Sequence, residues 1–317
     1  MSSIHSRLGY ACINTELREA GVYTGRTMNK KTFLDQRSTN LKVYEIAKAN
    51  LQDLITIIFW NESNGIKFFR IGSDIFPWAS EYEFTDLPNW NELATLLKQA
   101  GALANSYKQR VGFHPGPFNV LASLNPDVVS RTIVDLNKHA EILDYMGIDQ
   151  SPWGKINIHV NTTQGGKEDS AKRFCEGFKQ LSESCRKRLV VENDDKPSQY
   201  SVSDLHRLIH NEIGIPITFD VHHHKYCSGG LSYQEAADLA VSTWPIGIPP
   251  AFHFASTIQH EDPTKMARAH ADWLYEPITD YGTGAWIMCE CKAKEQAVLH
   301  YIKNGPKASS FVEQINL

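Results

Sequence analysis

The sequence predicts an α/β fold, a (β/α)8 TIM barrel. Eight strand-like runs occur along the 317 residues, and stretches with helical periodicity separate most of them. Strands that alternate with helices form parallel sheets with right-handed crossovers, and eight such units favour closure into a barrel. Because α/β barrels commonly exceed about 250 residues as one domain, residues 1–317 are expected to form a single domain. An open doubly wound sheet is the alternative.

The eight predicted strands are short runs rich in β-branched, aliphatic and aromatic residues, as strands generally are. They span residues 7–14, 66–72, 109–114, 155–160, 188–193, 214–220, 251–255 and 285–290. No G-x-G-x-x-G motif follows the first strand, and the sequence contains no Walker motif. The absence of both motifs argues against a nucleotide cofactor.

Helices are predicted where apolar residues recur at intervals of three, four or seven positions. The first long helix starts at Thr39 and is expected to end near Asn64, and a later one starts after the cap Asn125. Further helices are expected around residues 90–100, over residues 167–186, from Ser201 and from Lys292. Residues 16–38 are interpreted as a polar loop rich in Lys and Arg. Residues 257–284 form a loop long enough to suggest a role at the site.

The composition is typical of a soluble globular protein, with 42% hydrophobic and 21% charged residues. The formal net charge is −4, so a nucleic-acid partner would need basic residues gathered on one face. The six cysteines contain no C-x-x-C pair, which favours reduced thiols in an intracellular protein of the cytoplasm, nucleoid or nucleus. No apolar run reaches the length of a membrane span, so no membrane association is expected.

Metal-ligand residue types occur at the ends of six of the eight predicted strands. These residues are His114, His159, Glu192, Asp220 with His223, His253 and Glu290. In a barrel the C-terminal ends of the strands form one rim, where the active site lies. A single strand-end histidine is more often a hydrogen-bonded structural residue. Six polar strand ends on one rim instead favour a site that holds several metal ions.

The spacing within residues 219–224, which read FDVHHH, refines this expectation. Side chains alternate between the two faces of a strand, so Asp220 and His223 can share a site only if the chain bends out of the strand directly after Asp220. The pair D-x-x-H is therefore interpreted as two ligands at a bend. The remaining histidines of the run, expected to support the ligands or to lie at the surface, are His222 and His224.

The predicted ligand set combines imidazoles and carboxylates without thiolates, which suits zinc, manganese or iron. His270, in the long 257–284 loop, is a candidate for a further imidazole ligand. Cys289 and Cys291 flank Glu290 and are expected to point away from it. Bridging carboxylates with four or more imidazoles imply two or three divalent ions, an arrangement that clamps a phosphate and activates water. Phosphodiester hydrolysis is therefore favoured, and metal-dependent sugar isomerisation is the alternative.

Six short motifs occur in order between about residue 7 and residue 300. They read RLGY with Asn14, FRI followed by FP, FHPG, VENDD, FDVHHH and MCECK. In order and spacing they resemble the UV damage endonuclease family, which is related in fold to endonuclease IV. The resemblance implies a (β/α)8 barrel with a metal cluster at the C-terminal rim of its strands. It also implies an ATP-independent, monomeric enzyme that nicks damaged double-stranded DNA 5′ of cyclobutane pyrimidine dimers and 6-4 photoproducts, leaving a 3′-hydroxyl and a 5′-phosphate.

The resemblance also implies roles for individual positions. The implied metal ligands are His114, His159, Glu192, Asp220, His223, His253, His270 and Glu290. Among them, the residues expected to be catalytic are Glu192, Asp220, His253 and Glu290. Tyr10 and Asn14 match residues that in the family lie by the lesion or the backbone near it, and Lys292 and the basic 16–38 loop are expected to meet phosphates. Two or three divalent ions are implied, with manganese favoured and zinc or magnesium as alternatives.

Three positions depart from the family pattern. Pro117 and Phe118 stand where family members commonly carry Gln followed by Tyr or Phe as probes of the duplex, so stacking by Phe118 remains but the hydrogen bonds of Gln are lost. Ala251 stands where some members have a lysine near the metals. Glu81 stands where some have a metal-binding histidine, and it is kept as a ligand candidate because carboxylates bind manganese. An abasic-site endonuclease and a metal-dependent sugar isomerase or epimerase are therefore alternatives.

Overall fold

Eight parallel strands pair in sequential order and close into a barrel in the computed structural model, which describes residues 4–309 and 311. The strands are β1 (Leu8–Ala11), β2 (Phe68–Ile71), β3 (Arg110–Phe113), β4 (Ile156–Ile158), β5 (Leu189–Glu192), β6 (Ile217–Asp220), β7 (Ala251–Phe254) and β8 (Trp286–Cys289). Each strand lies within the run predicted for it, so the predicted barrel is confirmed and the open sheet is rejected. The strands are shorter than predicted because the ends of most runs belong to the adjoining loops.

Helices connect successive strands of the barrel. They are α1 (Thr15–Glu19), α2 (Lys30–Gln36), α3 (Leu41–Ser63), α4 (Trp90–Ser106), α5 (Pro126–Tyr145), α6 (Lys167–Lys179), α7 (Glu183–Arg188), α8 (Val202–Leu205), α9 (Asn211–Ile213), α10 (Val221–His224), α11 (Tyr233–Ser242) and α12 (Lys294–Asn304). A π-helical turn, His206–His210, joins α8 to α9. The helices α3, α4, α5 and α12 begin within two residues of their predicted starts.

The segment 16–38 differs from its prediction as a loop, since it contains most of α1 and all of α2. Two asparagines explain the difference. The side chains of Asn14 and Asn29 accept hydrogen bonds from backbone N–H groups in the first turns of α1 and α2, respectively. Such caps satisfy donors that a helix start otherwise leaves without partners.

Two further helical segments differ from the predictions. The helix predicted over residues 167–186 is divided into α6 and α7, because Ser182 caps a second helix. Helix α11 was not predicted at all. Its start carries a capping box, in which Ser232 and Glu235 bond to each other's backbone N–H groups, and this S-x-x-E pattern is visible in the sequence.

Arg110, the first residue of β3, lies fully buried at the N-terminal end of the barrel. Its guanidinium donates hydrogen bonds to the backbone carbonyls of Trp153 (3.1 Å), Pro249 (2.9 Å), Pro250 (3.2 Å) and Pro152 (2.8 Å). Its Cζ also lies 5.2–5.4 Å from the ring centres of Phe68, Trp153 and Trp244. Burial lowers the pKa of Arg110 to about 9. The carbonyl oxygens and ring faces replace the water that would otherwise surround the cation.

Replacing Arg110 with alanine is expected to lower the free energy of unfolding by about 3–5 kcal/mol, because it leaves buried carbonyls without donors and opens a cavity. Urea unfolding followed by circular dichroism measures the loss. The control is Lys187→Ala, which removes an exposed cation paired with Glu183 and is expected to change stability by less than about 0.5 kcal/mol. Equal unfolding midpoints for Arg110→Ala and the unaltered protein would contradict a structural role for the buried guanidinium.

The opposite end of the barrel carries the loops that follow each strand. The predicted metal-ligand residues lie at this end. Most of them stand at the end of a strand or just after it, His270 lies in the β7–β8 loop, and Glu81 lies in the loop after β2. Cys289 and Cys291 are fully buried in the hydrophobic core, as predicted, and the cysteines of the described chain are free thiols. Within the described residues, no helix is both long and apolar enough to cross a membrane.

Candidate metal centre

Six of the predicted strand-end residues converge at the C-terminal mouth of the barrel. Their ligand atoms form three groups, each within 4.8 Å: His114 with His159 and Glu192, His114 with His253 and Glu290, and Glu192 with Asp220 and His253. The groups share members, so they form one continuous cluster. The convergence follows from the parallel barrel, because it brings the carboxyl ends of all eight strands to one rim.

Glu192, the last residue of β5, lies at the centre of the cluster and is fully buried. Its Oε1 lies 3.1 Å from His253 Nδ1, and its Oε2 lies 3.2 Å from His114 Nε2. Asn157, on the neighbouring strand β4, donates a hydrogen bond to Oε2. His253 Nδ1 also lies 3.3 Å from Glu290 Oε1, so His253 stands between two carboxylates.

Asp220 and His223 meet at a bend, as the D-x-x-H spacing predicted. Helix α10 begins directly after Asp220, whose Oδ1 accepts a 2.7 Å hydrogen bond from the backbone N–H of His223. His223 Nδ1 is 2.9 Å from the carbonyl oxygen of Asn193 and lies 3.5 Å from Glu192 Oε1. When Nδ1 donates to that carbonyl, Nε2 is left as the atom available to a metal.

His222 and His224 have the supporting positions predicted for them. The Nε2 atoms of both rings lie 3.1 Å from backbone carbonyl oxygens, of Arg268 and Leu231 respectively. Both side chains are buried, and neither belongs to the three ligand groups. They therefore hold loops around the mouth of the barrel.

His270 and Glu81, the two ligand candidates from loops, have different positions. His270 lies at the edge of the cluster: its Nδ1 is 3.0 Å from the carbonyl oxygen of Glu290, and its ring centre is 6.3 Å from that of His223. Glu81 stands apart from the ligand groups of the described chain, with its carboxylate 3.8 Å from Arg37 and 41% exposed. The prediction of Glu81 as a ligand therefore lacks support in the geometry, because its loop turns it towards the 16–38 segment.

The arrangement of unpaired atoms tests whether the residues fit a metal. Glu192 Oε1, His253 Nδ1 and Asp220 Oδ2 are buried and form no well-directed hydrogen bond within the described part of the chain, although the first two atoms are only 3.1 Å apart. A buried polar atom without a partner is costly, so three of them in one cluster favour a cation as their partner. Two donors that bind one ion at about 2.1 Å lie roughly 3–3.4 Å apart, which matches the separation of Glu192 Oε1 and His253 Nδ1. The nitrogen and oxygen donors therefore fit divalent metal ions.

The pKa values of the cluster reflect dense burial of opposite charges. Burial alone would lower the pKa of His159, but Glu192 and Asp194 outweigh it and raise the pKa to about 10. Burial lowers the pKa of His114 to about 4, and the neighbouring Glu192 offsets this only in part. Burial raises the pKa of Asp220, whereas the imidazoles around Glu192 hold its pKa well below the usual range despite its burial. Protons and cations therefore compete for the same donors.

Two cations beside the cluster were not predicted from the strand ends. Arg70, on β2, forms an ion pair with Glu290. Lys155, just before β4, places its Nζ 2.7 Å from His253 Nε2, and burial lowers the pKa of Lys155 to about 7. Ala251, two residues before His253, is fully buried and offers no amine at its own position. The amine beside His253 belongs instead to Lys155, which directly precedes β4.

Polar residues inside the strands were the available signal for these neighbours. Arg70 and Asn157 each interrupt an otherwise apolar strand, and a buried polar side chain needs a partner. Asp194, two residues after Glu192, places Oδ1 3.2 Å from His159 Nδ1. The identity of these partners could not be predicted from the sequence, because they come from strands that are distant in it.

Tyr10 and Asn14 lie beneath the surface rather than on it. Tyr10 is fully buried, donates a 2.7 Å hydrogen bond to Asn61 and accepts one of 3.0 Å from Asn14. Asn14 is also buried, and its side-chain oxygen caps α1. The described structure holds both side chains in the barrel wall beside α3, and their position by the lesion or the backbone near it stays a prediction.

Phe118, in contrast, is 89% exposed on the loop after β3. It borders, with Pro117 and Glu81, a cleft of about 800 Å³ between the loops that follow β2 and β3. Lys292 is exposed just after Glu290. The predicted DNA-contacting residues Pro117, Phe118 and Lys292 are thus all on the side of the barrel that carries the cluster.

Comparisons with known proteins agree with this geometry. A family model described as UV-endonuclease UvdE matches residues 6–316. The UV-damage endonuclease of Schizosaccharomyces pombe (strain 972 / ATCC 24843) is 35% identical over 312 residues, which cover 92% of this chain and 49% of that protein. The chain therefore spans about half the length of that curated relative.

Two solved structures are also similar. The crystal structure of SacUVDE has a TM-score of 0.80 at 32% identity, covering 98% of this chain and 99% of that chain. Endonuclease IV from Thermus thermophilus has a TM-score of 0.55 at 11% identity, covering 94% of this chain and 97% of that one, which is a likeness of fold alone. The match of the family model over nearly the whole sequence, with these relatives, means that the chain belongs to the UvdE family of UV-endonucleases.

Proposed function

We propose that this protein is a metal-dependent endonuclease of damaged double-stranded DNA. It nicks the phosphodiester 5′ of cyclobutane pyrimidine dimers and 6-4 photoproducts without ATP and leaves a 3′-hydroxyl and a 5′-phosphate. The observation that carries the proposal is the largely buried cluster of histidines and carboxylates with unpaired donor atoms, in a chain of the UvdE family. Residues 1–317 act as a single domain and as a monomer in this proposal.

The proposed ligands are the six converging residues with two neighbours at the bend and the β7–β8 loop. They are His114, His159, Glu192, Asp220, His253 and Glu290, with His223 and His270. Two or three divalent ions fit this number of donors, with manganese favoured and zinc or magnesium as alternatives. When bound, they supply positive charge for a phosphate and an activated water for attack on phosphorus. Glu192, Asp220, His253 and Glu290 are the residues proposed as catalytic.

Several residues of the chain position the ligands. Asn157 holds Glu192, Arg70 holds Glu290, and the Asn193 carbonyl orients His223. Partners of this kind fix the orientation of ligands before a substrate arrives. Tyr10 and Asn14, which are hydrogen-bonded to each other below the start of α1, are proposed to lie by the lesion or the backbone near it.

Phe118 is the proposed probe of the duplex. Its exposed ring can enter a gap between unstacked bases, at a cost to the DNA of a few kcal/mol that is lowest at a damaged site. Pro117 has no side-chain donor, so recognition depends on stacking. This favours an abasic-site duplex, which offers a similar gap, as the second candidate substrate. Lys292 is proposed to contact a phosphate.

Nicking of duplexes that each carry one defined lesion tests the proposal. With added Mn²⁺, duplexes with a cyclobutane dimer or a 6-4 photoproduct are expected to be cut immediately 5′ of the lesion, and undamaged duplex is expected to remain intact. Extension by a polymerase and sealing by a ligase identify the 3′-hydroxyl and the 5′-phosphate. Cutting of an abasic duplex alone would favour the second candidate. Equal cutting of damaged and undamaged duplex would contradict both.

A further inference from the structure

The loop between β7 and β8 lies at the mouth of the barrel. Its middle contains a short segment, residues 262–269, which we call the loop tip. Its backbone is held from several directions. Tyr226 and Thr257 donate hydrogen bonds of 2.6 and 2.7 Å to the carbonyl oxygen of Ala267. The backbone N–H of Ile258 donates a 2.8 Å hydrogen bond to the carbonyl oxygen of Ala269. The loop tip is therefore a fixed element.

The loop tip is also attached to the metal centre. The carbonyl oxygen of Arg268 lies 3.1 Å from Nε2 of His222, the neighbour of the ligand His223. The Arg268 side chain extends towards the loop after β5, where its Nε lies 3.6 Å from Asp195 Oδ2. That loop directly follows the central Glu192, so Arg268 contacts a segment that adjoins the cluster.

The loop tip presents an exposed apolar side chain, Met266, between the basic side chains of Lys265 and Arg268. Met266 is 66% exposed, and its sulfur lies 3.6 Å from Arg268 Nη2. Lys265 is exposed beside it, with its Nζ 3.8 Å from Asp262. An apolar side chain between two cations matches the chemistry of DNA, which offers phosphates outside and base faces inside. The formal net charge of −4 makes such a local group of cations necessary for binding a duplex.

The loop tip and Phe118 lie on different sides of the metal centre. Phe118 follows β3, whereas the loop tip follows β7, and these strands are opposite one another in the closed order of eight. Both sides therefore present an exposed apolar residue, Phe118 at 89% and Met266 at 66%. A duplex that places a phosphate at the cluster meets both.

The geometry points to the loop tip as a second DNA-contacting element, in which Arg268 contacts a backbone phosphate and Met266 packs against the distorted duplex from the side opposite Phe118. This inference rests on the proposed function and adds a contact that the sequence motifs did not indicate. Asp195 lies on the Nε side of the Arg268 guanidinium and the Met266 sulfur lies beside Nη2, and a planar guanidinium is the group that suits phosphate contacts.

Equilibrium binding of the metal-loaded protein tests the inference. Fluorescence anisotropy is measured with an undamaged duplex and with a duplex that carries one cyclobutane dimer and an uncleavable linkage at the nicking position. Arg268→Ala is expected to weaken binding of both duplexes about tenfold and to reduce the slope of log K against log salt by about 1. Met266→Ala is expected to weaken binding of the damaged duplex alone, by about tenfold.

Two control variants match these changes at the other end of the barrel. Ile246→Ala removes a fully exposed apolar residue in the loop that enters β7, and Lys303→Ala removes an exposed cation near the end of α12. Both are expected to bind as the unaltered protein does. Melting temperature and metal content verify that all four variants are folded and loaded.

The outcomes separate the loop tip from the proposed function. If the unaltered protein nicks the dimer duplex but Arg268→Ala and Met266→Ala bind within twofold of it, the inference is overturned and the proposed function stands. The proposed function is overturned if the unaltered protein does not nick the dimer duplex, and the role of Met266 is overturned if the protein binds both duplexes equally. In that case a tenfold loss in Arg268→Ala still supports the phosphate contact, and an unchanged affinity overturns it.

Discussion

Replacing Glu192 with glutamine is expected to lower nicking of photoproduct-containing DNA by about a thousandfold or more. The carboxylate stands between four imidazoles, at distances of 3.1–3.6 Å from nitrogens of His253, His114, His223 and His159. Glutamine has nearly the same shape and can still accept the hydrogen bond of Asn157, so the barrel is expected to keep its fold. What is lost is one negative charge at the point where the imidazoles converge.

Single-turnover nicking and metal content by mass spectrometry measure the effect together. We expect Glu192→Gln to retain less metal than the unaltered protein, because this carboxylate belongs to two of the three ligand groups. Glu212→Gln is the matched control: this exposed carboxylate on α9 faces Lys179 at 3.4 Å, and its loss is expected to change the rate less than about twofold. Full metal content with unchanged nicking in Glu192→Gln would contradict the central position of this residue.

The barrel and the convergence of its strand ends could be predicted because both depend on local patterns. A strand that ends in histidine or a carboxylate is visible in a short window of sequence, and parallel closure then brings all such ends to one rim. The bend at Asp220 was predictable for the same reason, since D-x-x-H spacing fits a helical turn and not a strand. Helix α11 depends on an equally local pattern, the capping box that begins at Ser232, and could have been predicted from it.

The features that were not predicted concern contacts between distant segments. Tyr10 is buried because Asn61 of α3, 51 residues away, accepts the hydrogen bond of its hydroxyl in the barrel wall. Glu81 was retained as a ligand because its residue type suits manganese. Its orientation depends on a loop packed against the 16–38 segment, where Arg37 lies 3.8 Å from the carboxylate. Residue type indicates which chemistry is available, whereas orientation is decided by tertiary packing.

Lys155 illustrates the same limit within the site. Its amine lies 2.7 Å from His253, although 98 residues separate the two in the sequence. A lysine at the start of a strand ordinarily predicts a side chain that extends to solvent. Here the side chain enters the barrel interior, where burial lowers its pKa to about 7. Lys155 is thus a neighbour of the ligands that only the closed barrel reveals.

Removing metal ions with a chelator is expected to abolish nicking and to lower the melting temperature by several degrees. In the described site, three carboxylates lie within one largely buried cluster, and protons must take the place of cations when metal is absent. The proton held by His159, whose pKa is raised to about 10, is one such replacement. Ions that bind the folded state alone, at about 1,000 times their Kd, stabilise it by about 4 kcal/mol.

Thermal unfolding before and after dialysis against EDTA, with metal content and nicking measured on the same samples, checks this expectation. Reloading with Mn²⁺ should restore both the melting temperature and the activity, and Zn²⁺ and Mg²⁺ should be compared at equal free concentration. Glu192→Gln provides the internal control: if the ions bind at the cluster, EDTA should lower the melting temperature of this variant much less. An EDTA response of equal size in both proteins would place the stabilising ions elsewhere, and full nicking by metal-free protein would contradict metal-dependent chemistry altogether.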